Sequence, residues 1–327
     1  MKKVSILVPE SAVMEAVADP RYLFTVVNEF LQVSSRPKLF DIELVGQTRE
    51  VKFLDGIYSV YTDKVLDEVS ETDLIVIPAL FGDMKNAVVQ NKAAIPWITQ
   101  HYKNGAEVAS LCVGAFLLAS TGILNGKKCS THWAYTNEFR CMFPEVEIVD
   151  GSIITEINGI YSSGGANSYW NLLLYMVEKY TDRDTAILAA KYFAIDIDRE
   201  NQSAFAIFKG QKDHNDEEVK KAQEYIEANY AEKITIEVLV SLLSLSRRSF
   251  ERRFKKATNN TIVEYIQRVK IEAAKRNFEL SRKNINEVMF DVGYTDTKAF
   301  RTVFKKITGL TPIEYRNKYN KEAKVLV

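Results

Sequence analysis

The chain of 327 residues is long enough for two or three domains, and its composition, 46% hydrophobic and 26% charged, argues against disorder. Its formal net charge of zero conceals an asymmetry. Residues from Asp216 onward carry 23 Lys and Arg against 16 Asp and Glu, whereas residues 1–215 carry 20 against 27. A basic C-terminal part joined to an acidic N-terminal part predicts a polyanionic partner for the C-terminal part alone.

The cysteines, histidines and apolar runs of the sequence indicate where the protein is located and whether it binds a metal. Three cysteines in a chain of this length do not make a disulfide framework, which favours a reducing compartment. The apolar run after the N-terminal lysines ends at Pro9, and no stretch reaches about 18 apolar residues, so we predict neither a signal peptide nor a membrane span. The histidines are isolated, so we predict no metal site and no cofactor. We therefore expect a cytoplasmic protein.

The first part of the chain alternates strand-like and helix-like patterns. Apolar runs rich in β-branched residues predict strands at 3–8, 41–46, 73–77 and 107–111, with a hairpin at 146–161. Helical patterns lie at 22–32, 85–103, 167–180 and 186–208. The alternation predicts an α/β fold, a largely parallel sheet flanked by helices with flavodoxin-like layering. The polar stretch 209–217 reads as a linker.

After this linker every pattern is helical, and one helical unit occurs twice. The predicted helices are 217–229, 235–243, 246–257, 261–280, 284–291, 296–307 and 312–319. Residues 250–256 read FERRFKK and residues 300–306 read FRTVFKK, and Phe250/Phe300 and Phe254/Phe304 are among the identical pairs at this offset of fifty. Because two copies are too few for a solenoid, the repeat favours a pair of helix-turn-helix units in an all-α domain.

The second helix of each unit is predicted to expose a basic face. Phe250, Phe254 and Ala257 recur at helical spacing and must face the core, as must Phe300 and Phe304 in the second copy. The residues forced outward are the candidate DNA-binding residues Arg247, Arg248, Glu251, Arg252, Lys255, Lys298, Arg301, Thr302 and Lys305, and Thr297 is a candidate cap of the second such helix. Arginine can bind guanine edges and phosphates bidentately, and lysine anchors phosphates. A basic amphipathic helix is also an ordinary solvated face, but two copies in register favour the functional interpretation.

Residues 217–320 resemble the AraC/XylS family of bacterial transcription regulators. The matching positions are Ser246, Arg248, Phe250, Arg252, Phe254, Arg268, Ala274, Ile285, Val288, Gly293, Tyr294, Asp296, Phe300, Phe304, Lys305, Gly309, Pro312, Tyr315 and Arg316. The resemblance implies seven helices, with two recognition helices in successive major grooves. By position, it implies base contacts from Arg248, Glu251, Arg252, Thr297, Lys298 and Arg301. Val240 and Met289 stand where the family usually has alanine, and Ser244 replaces its turn glycine.

The most reactive candidate upstream is Cys112, which follows a predicted strand and precedes Gly114 and an apolar helix. A thiol at such a turn would lie at the carboxyl edge of the sheet, where a helix N-terminus can lower its pKa and backbone amides can stabilise an oxyanion. His132 could reach the thiol as base or orienter, and Glu15 is the nearest candidate acid after the first strand. Three interpretations remain open: a catalytic cysteine, an effector pocket without turnover, and a buried cysteine in a scaffold used mainly to dimerise.

Residues 1–185 resemble the ThiJ/PfpI group of the class I glutamine amidotransferase-like fold, and more narrowly its members with an AraC-type C-terminus. The match is carried by Cys112, Gly114, Ala115, Leu118, Ala119, Gly122, Leu124, Gly126, Thr131, His132, Trp133, Ser163, Gly164 and Gly165. The resemblance implies a cleft that either turns over an amide or aldehyde-type substrate or binds an effector. The candidate effector-pocket residues are Cys112, Val113, His132, Gly164 and Gly165.

Together these observations predict three segments: an effector-binding and dimerisation domain at 1–185, a helical extension and linker at 186–216, and a DNA-binding domain at 217–327. The predicted function is sequence-specific, effector-responsive regulation of transcription rather than enzymatic turnover. The expected partners are double-stranded DNA, a second copy of the chain, a small-molecule effector and RNA polymerase. The alternative is a ThiJ/PfpI-type cysteine-dependent hydrolase or glyoxalase-like enzyme with a DNA-binding appendage.

Overall fold

A computed structural model describes residues 1–53, 56–197, 201–243 and 245–320. Ser244, which stands at the predicted first turn, and the end of the segment 217–327 therefore lie outside the described residues. The chain divides into two compact units, Met1–Gln202 and Ser203–Val327. These are called the first and the second unit below.

The first unit is built on a largely parallel sheet. The strands of the first unit are β1 Lys2–Val8, β2 Phe40–Gly46, β3 Glu50–Phe53, β4 Tyr58–Tyr61, β5 Lys64–Val65, β6 Leu74–Ile77, β7 Glu107–Ser110, β8 Lys128–Cys129, β9 Glu147–Ile148, β10 Ile154–Ile157 and β11 Ile160–Ser163. Among the described residues, one sheet has the order β10-β11-β7-β6-β1-β2-β5, and only its β10–β11 pair is antiparallel. The strands β1 and β6 are buried almost throughout, as expected of central parallel strands covered on both faces.

Helices flank this sheet in two groups. They are α1 Met14–Val33, α2 Met84–Gln90, α3 Ala94–Lys103, α4 Ala115–Ser120, α5 Thr136–Met142, α6 Tyr169–Tyr180 and α7 Arg183–Tyr192. The helices α1, α6 and α7 pack on one another, and α4 packs against α2 and α3. The predicted α/β fold class is thus confirmed, and the apolar sides of sheet and helices share one core.

Three predicted helices are wrong in extent. The pattern at 22–32 is part of a longer helix, Met14–Val33, which contains Pro20. The pattern at 85–103 is interrupted at Asn91, whose buried amide donates to the Ala87 carbonyl (2.8 Å) and accepts from the Glu10 N–H (3.0 Å). The pattern at 186–208 ends as a helix at Tyr192, because Ala194 has φ of +54° and the Ile195 N–H bonds back to the Ala190 carbonyl (2.9 Å). The hairpin β3–β4 was not predicted at all.

The second unit is helical, and the seven predicted helices are confirmed within a residue or two. They are α8 Glu217–Ala228, α9 Ile236–Leu243, α10 Arg247–Thr258, α11 Ile262–Leu280, α12 Ile285–Asp291, α13 Thr297–Thr308 and α14 Pro312–Tyr319. The long helix α11 supplies residues to two cores. Its first half packs with Phe250 and Phe254 of α10, and its second half packs with Phe300 and Phe304 of α13.

The segment 186–216, predicted as an extension and linker, is shared between the units. Ala186, Ala189 and Ala190 of α7 are buried in the core of the first unit. Beyond the division at Gln202 the chain packs on α11, where Lys275 donates to the Ala206 carbonyl (2.5 Å). The segment therefore belongs partly to each unit.

Candidate nucleic-acid interface and effector cleft

The helices α10 and α13 begin with side-chain caps. The Ser246 hydroxyl accepts from the Ser249 N–H (3.3 Å), and the Asp296 carboxylate accepts from the Ala299 N–H (2.7 Å). Such caps satisfy free N–H groups of the first turn. Each capped helix follows a support helix, α9 or α12, so the predicted helix-turn-helix order is present twice. The pairs α9–α10 and α12–α13 are called the first and second helix-turn-helix below.

Residues fifty positions apart make the same hydrogen bonds and ring contacts in the cores that support α10 and α13. Thr258 and Thr308 each donate to the carbonyl four residues earlier, both at 2.8 Å, just before α10 and α13 end in left-handed residues. The ring of Tyr265 meets Phe254 edge-on at 5.3 Å between centroids, and Tyr315 meets Phe304 at 5.5 Å. The two copies therefore hold their basic helices with equivalent cores.

The turn of the second helix-turn-helix is held by Lys270, which was not among the predicted site residues. Its ammonium donates to the carbonyls of Val292 (3.0 Å), Gly293 (3.3 Å) and Glu232 (3.2 Å), and burial lowers its pKa. Gly293 has φ of +71°, and a Cβ there would lie 2.2 Å from the Ala231 carbonyl oxygen. Only glycine fits this turn. The available sequence signal was a lysine between the apolar residues Val269 and Ile271 of the predicted helix 261–280.

The outward faces of α10 and α13 contain the predicted DNA-binding residues. Nine of the ten candidates are exposed, and Thr297 is half-buried. Among the described residues, no carboxylate forms an ion pair with Arg248, Arg252, Lys298, Arg301 or Lys305. Their charges are available to a polyanion.

Three candidates on α10 are instead engaged within the protein. Arg247 pairs with Glu237 of α9 (2.9 Å) and with Glu251 one turn on (3.0 Å). The Lys255 ammonium donates to the Asn259 carbonyl (2.8 Å) and lies 3.9 Å from the Glu264 carboxylate. These groups can reach DNA only by exchanging existing partners.

The first unit places Cys112 at the predicted turn after β7, but the thiol is not activated. Cys112 has φ of +54°, a strained value for this residue type, and is 4% exposed. Its N–H donates to the Ser163 hydroxyl (3.1 Å), so that amide is already occupied. Burial raises the pKa of the thiol from 9.0 to about 12, although the Val113 N–H hydrogen bond opposes it. The expected lowering of this pKa is therefore wrong, because desolvation outweighs the helix N-terminus.

The other two catalytic candidates do not form a relay with the thiol. His132 is half-buried, its Nδ1 accepts from the Ala134 N–H (3.1 Å), and burial lowers its pKa. Glu15 is exposed on α1. Among the described residues, no hydrogen bond links Cys112 to either of them.

Asp19, a carboxyl that was not among the predicted site residues, lies on α1. Asp19 accepts a hydrogen bond from the Tyr169 hydroxyl (2.6 Å), and burial raises the pKa of its carboxyl. Burial raises the pKa of the Tyr169 phenol, and its hydrogen bond to Asp19 raises it further. Asp19 was missed because the predicted helix began at residue 22, whereas α1 begins at Met14. An Asp-Pro pair within the extended helix was the available signal.

The glycines of the predicted pocket are covered by Gln202. Its amide nitrogen donates to the carbonyls of Thr131 (2.9 Å) and Ser152 (3.1 Å), and its amide oxygen accepts from the Trp133 N–H (3.4 Å). A Cβ on Gly164 would lie 1.9 Å from that amide nitrogen. The Gly164 position therefore accommodates a side chain that lies far away in sequence.

The described residues meet neither the requirements of a metal site nor those of a membrane span. Within the residues the structure describes, no three His, Cys, Asp or Glu side chains are grouped as a metal site would require. Over the same residues, none of the helices has the length and apolar character needed to span a bilayer.

Comparisons with known proteins agree with both halves of this geometry. Residues 21–179 match the DJ-1/PfpI family and residues 239–318 match a helix-turn-helix domain. The chain is 22% identical over 269 residues to the HTH-type transcriptional regulator GbdR of Pseudomonas aeruginosa, covering 82% of this chain and 72% of the relative. It is 24% identical over 221 residues to ArgR of the same organism, covering 67% of each chain. It is 41% identical over 93 residues to the bifunctional transcriptional activator/DNA repair enzyme AdaA of Bacillus subtilis, covering 28% of this chain and 44% of the relative.

Solved structures support the fold of the first unit. A candidate transcriptional regulator protein from Vibrio parahaemolyticus superposes with a TM-score of 0.52 at 21% identity, covering 58% of this chain and 98% of that chain. A ThiJ/PfpI family protein from Pseudomonas syringae gives 0.50 at 16% identity, covering 61% and 76%. The chain therefore joins a segment that matches the DJ-1/PfpI family to a segment that matches an AraC-type helix-turn-helix domain.

Proposed function

We propose that this protein is a sequence-specific DNA-binding regulator of transcription whose DJ-1/PfpI-type domain binds a small-molecule effector. The observation that carries the proposal is the duplicated presentation of α10 and α13. Equivalent caps, cores and C-terminal turns hold two basic helices whose Arg248, Arg252, Lys298 and Arg301 lack carboxylate partners among the described residues. Free guanidinium and ammonium groups early in a helix suit bases and phosphates in a major groove.

The relatives support the same function. GbdR and ArgR are named as HTH-type transcriptional regulators, and each aligns with about two thirds or more of this chain. An alignment of that extent includes parts of both units. On this basis we extend the regulatory role to the whole chain, with a second copy of the chain and RNA polymerase as further proposed partners. A cytoplasmic location remains a prediction.

The direct test is selection of bound DNA from a random pool by the full chain. We expect one enriched site with two unlike elements about 10 base pairs apart, because the two helices differ in sequence and would enter successive major grooves. Affinity for that site should fall steeply with salt. Recovery of no enriched sequence, with binding equal to that for random DNA, would refute specific recognition.

The proposed segments have distinct roles: effector binding and dimerisation at 1–185, linkage at 186–216, and DNA binding at 217–327. The effector cleft is proposed around Cys112, Val113 and His132, beside Gly164 and Gly165. Open parallel sheets bind ligands at the carboxyl ends of their strands, and Cys112 directly follows β7. Glu15, the candidate catalytic acid, is exposed on α1 and is not part of the proposed cleft.

One observation favours a second candidate, a cysteine-dependent enzyme. Cys112 keeps a left-handed φ of +54°, and such strain is often found at functional sites. The raised pKa argues against it, because at neutral pH nearly all of the group is thiol rather than nucleophilic thiolate. Iodoacetamide should modify the exposed Cys141 well before the buried Cys112. Rapid modification of Cys112 at pH 7, with hydrolase or glyoxalase-like turnover that Cys112→Ser abolishes, would favour the enzyme.

A further inference from the structure

We propose that the Gln202 side chain is an internal ligand of the effector cleft, and that the effector displaces it by offering a planar amide or urea group of its own. This inference rests on the proposed effector-binding role of the first unit. It specifies the chemistry that the cleft recognises and the segment that moves when the cleft is filled.

The hydrogen bonds around Gln202 define the ligand class. Two carbonyl oxygens, of Thr131 and Ser152, receive the two N–H groups of its amide, and the Trp133 N–H points to the amide oxygen. A primary amide or urea matches two acceptors beside one donor. A carboxylate would face two carbonyl oxygens, and an ammonium would leave the Trp133 N–H without an acceptor.

The residues that form this subsite are buried rather than on the surface. Gln202 is 2% exposed and Thr131 is equally buried. A Cβ on Gly164 would come within 1.9 Å of the Gln202 amide nitrogen, and one on Gly165 would lie 3.3 Å from its amide oxygen. The amide fits only because Gly164 lacks a side chain, and a side chain at Gly165 would also crowd it.

This subsite adjoins the turn that contains Cys112. The Thr131 hydroxyl donates to the Cys112 carbonyl (3.3 Å), and the Cys112 N–H donates to the Ser163 hydroxyl (3.1 Å). Ser163 directly precedes Gly164 in the chain. A ligand in the amide subsite would therefore contact the residues already proposed for the effector cleft.

Displacing Gln202 would also loosen the backbone next to it. The Gln202 N–H donates to the Gly151 carbonyl (2.8 Å), and Asn201 forms a bridge with Ser152. Gln202 is the last residue of the first unit, and Ser203 begins the second. Occupation of the subsite by an effector would thus free the end of the segment that leads to the DNA-binding domain.

The test is chemical rescue in the full chain. Gln202→Ala removes a group equivalent to acetamide, so added acetamide should bind the variant about 10–100-fold more tightly than wild type, in which the subsite is filled for most of the time. Acetate is the matched control ligand and should not bind. Calorimetric titration gives both affinities. Equal acetamide affinity in variant and wild type, or equal binding of acetate, would overturn the proposal.

A second variant covers the case in which Gln202→Ala does not fold. Gln202→Glu keeps the side-chain shape but places a carboxylate oxygen against two carbonyls. Hydrogen exchange at the Gln202 backbone N–H and its neighbours should then be at least about tenfold faster than in wild type. Unchanged exchange would mean that the amide does not hold this segment, and the proposal would fail.

The outcome can be separated from that of the proposed function. DNA binding is measured in the same preparations. Rescue by acetamide without specific DNA binding would keep the amide subsite and refute the regulatory function. Specific DNA binding without rescue would refute only the amide subsite.

Discussion

The two helix-turn-helix units share a scaffold but differ in how freely their basic residues can act. In the first, Arg247 is neutralised by Glu237 and Glu251, whereas in the second no described carboxylate pairs with Lys298 or Arg301. At the offset of fifty, Glu251 corresponds to Arg301. The second helix-turn-helix therefore has three candidate cations without an ion-pair partner among the described residues, Lys298, Arg301 and Lys305, against Arg248 and Arg252 in the first. The first helix-turn-helix instead contains an ion-pair network. Repetition gives equivalent cores, while the exposed positions are free to differ.

Breaking the shared core should have the largest effect. Phe254→Ala and Phe304→Ala should each lower the free energy of unfolding of the second unit by about 3–5 kcal/mol, because both rings are fully buried. Denaturant titration checks the two values. The equivalence of the cores predicts that they agree within about 1 kcal/mol. A large difference, or a near-zero loss for either variant, would contradict the structural equivalence.

A substitution at the turn of the second helix-turn-helix should destabilise that copy and leave the first intact. Gly293→Ala should cost more than the about 1–2 kcal/mol expected for a left-handed non-glycine residue, because its Cβ would also clash with the Ala231 carbonyl. Gly126→Ala is a matched control, since Gly126 has the same φ of +71° with nothing within 4 Å. Thermal unfolding of each unit measures the costs. Equal costs would show that the turn tolerates a side chain.

The free arginines should dominate recognition in each copy. Arg248→Ala and Arg301→Ala should each reduce discrimination between the selected site and a mismatched site by about 1–3 kcal/mol, if a bidentate base contact is lost. Lys255→Ala is the control, because a phosphate anchor should weaken binding to all sequences and lower the salt slope by about one. Competition binding at several salt concentrations separates these effects. Unchanged discrimination in both arginine variants would remove them from the interface.

The ion-pair network of the first helix-turn-helix should have the smallest effect. Glu251→Gln partly frees Arg247, and we expect DNA affinity to rise by about 0.2–1 kcal/mol, the usual range for an exposed pair. Glu237→Gln removes the other carboxylate and should act similarly. Titration at low salt detects the gain. If Glu251→Gln instead relaxes sequence preference while Glu237→Gln does not, Glu251 itself contacts a base.

Local patterns explain how much of this protein could be predicted. The helices of the second unit begin at side-chain caps such as Ser246 and Asp296, and capping is encoded within three or four residues. The helical period of Phe250 and Phe254 likewise determined which faces would be exposed. The helix predicted at 85–103 is instead divided by Asn91, whose amide is held partly by a residue 81 positions away. No local pattern records such a contact.

The features of the candidate sites likewise include some that local sequence patterns predict and others that depend on long-range contacts. The sequence by itself determined the repeated helical unit, the α/β layer upstream and the basic faces, because helical and strand periods place side chains without reference to distant residues. Only the tertiary structure decided that Cys112 is desolvated, that Lys270 holds a turn 22 residues away, and that the Gln202 amide donates to the Thr131 carbonyl, 71 residues earlier in the chain. These outcomes depend on burial and on long-range hydrogen bonds, which exist only after the chain has packed.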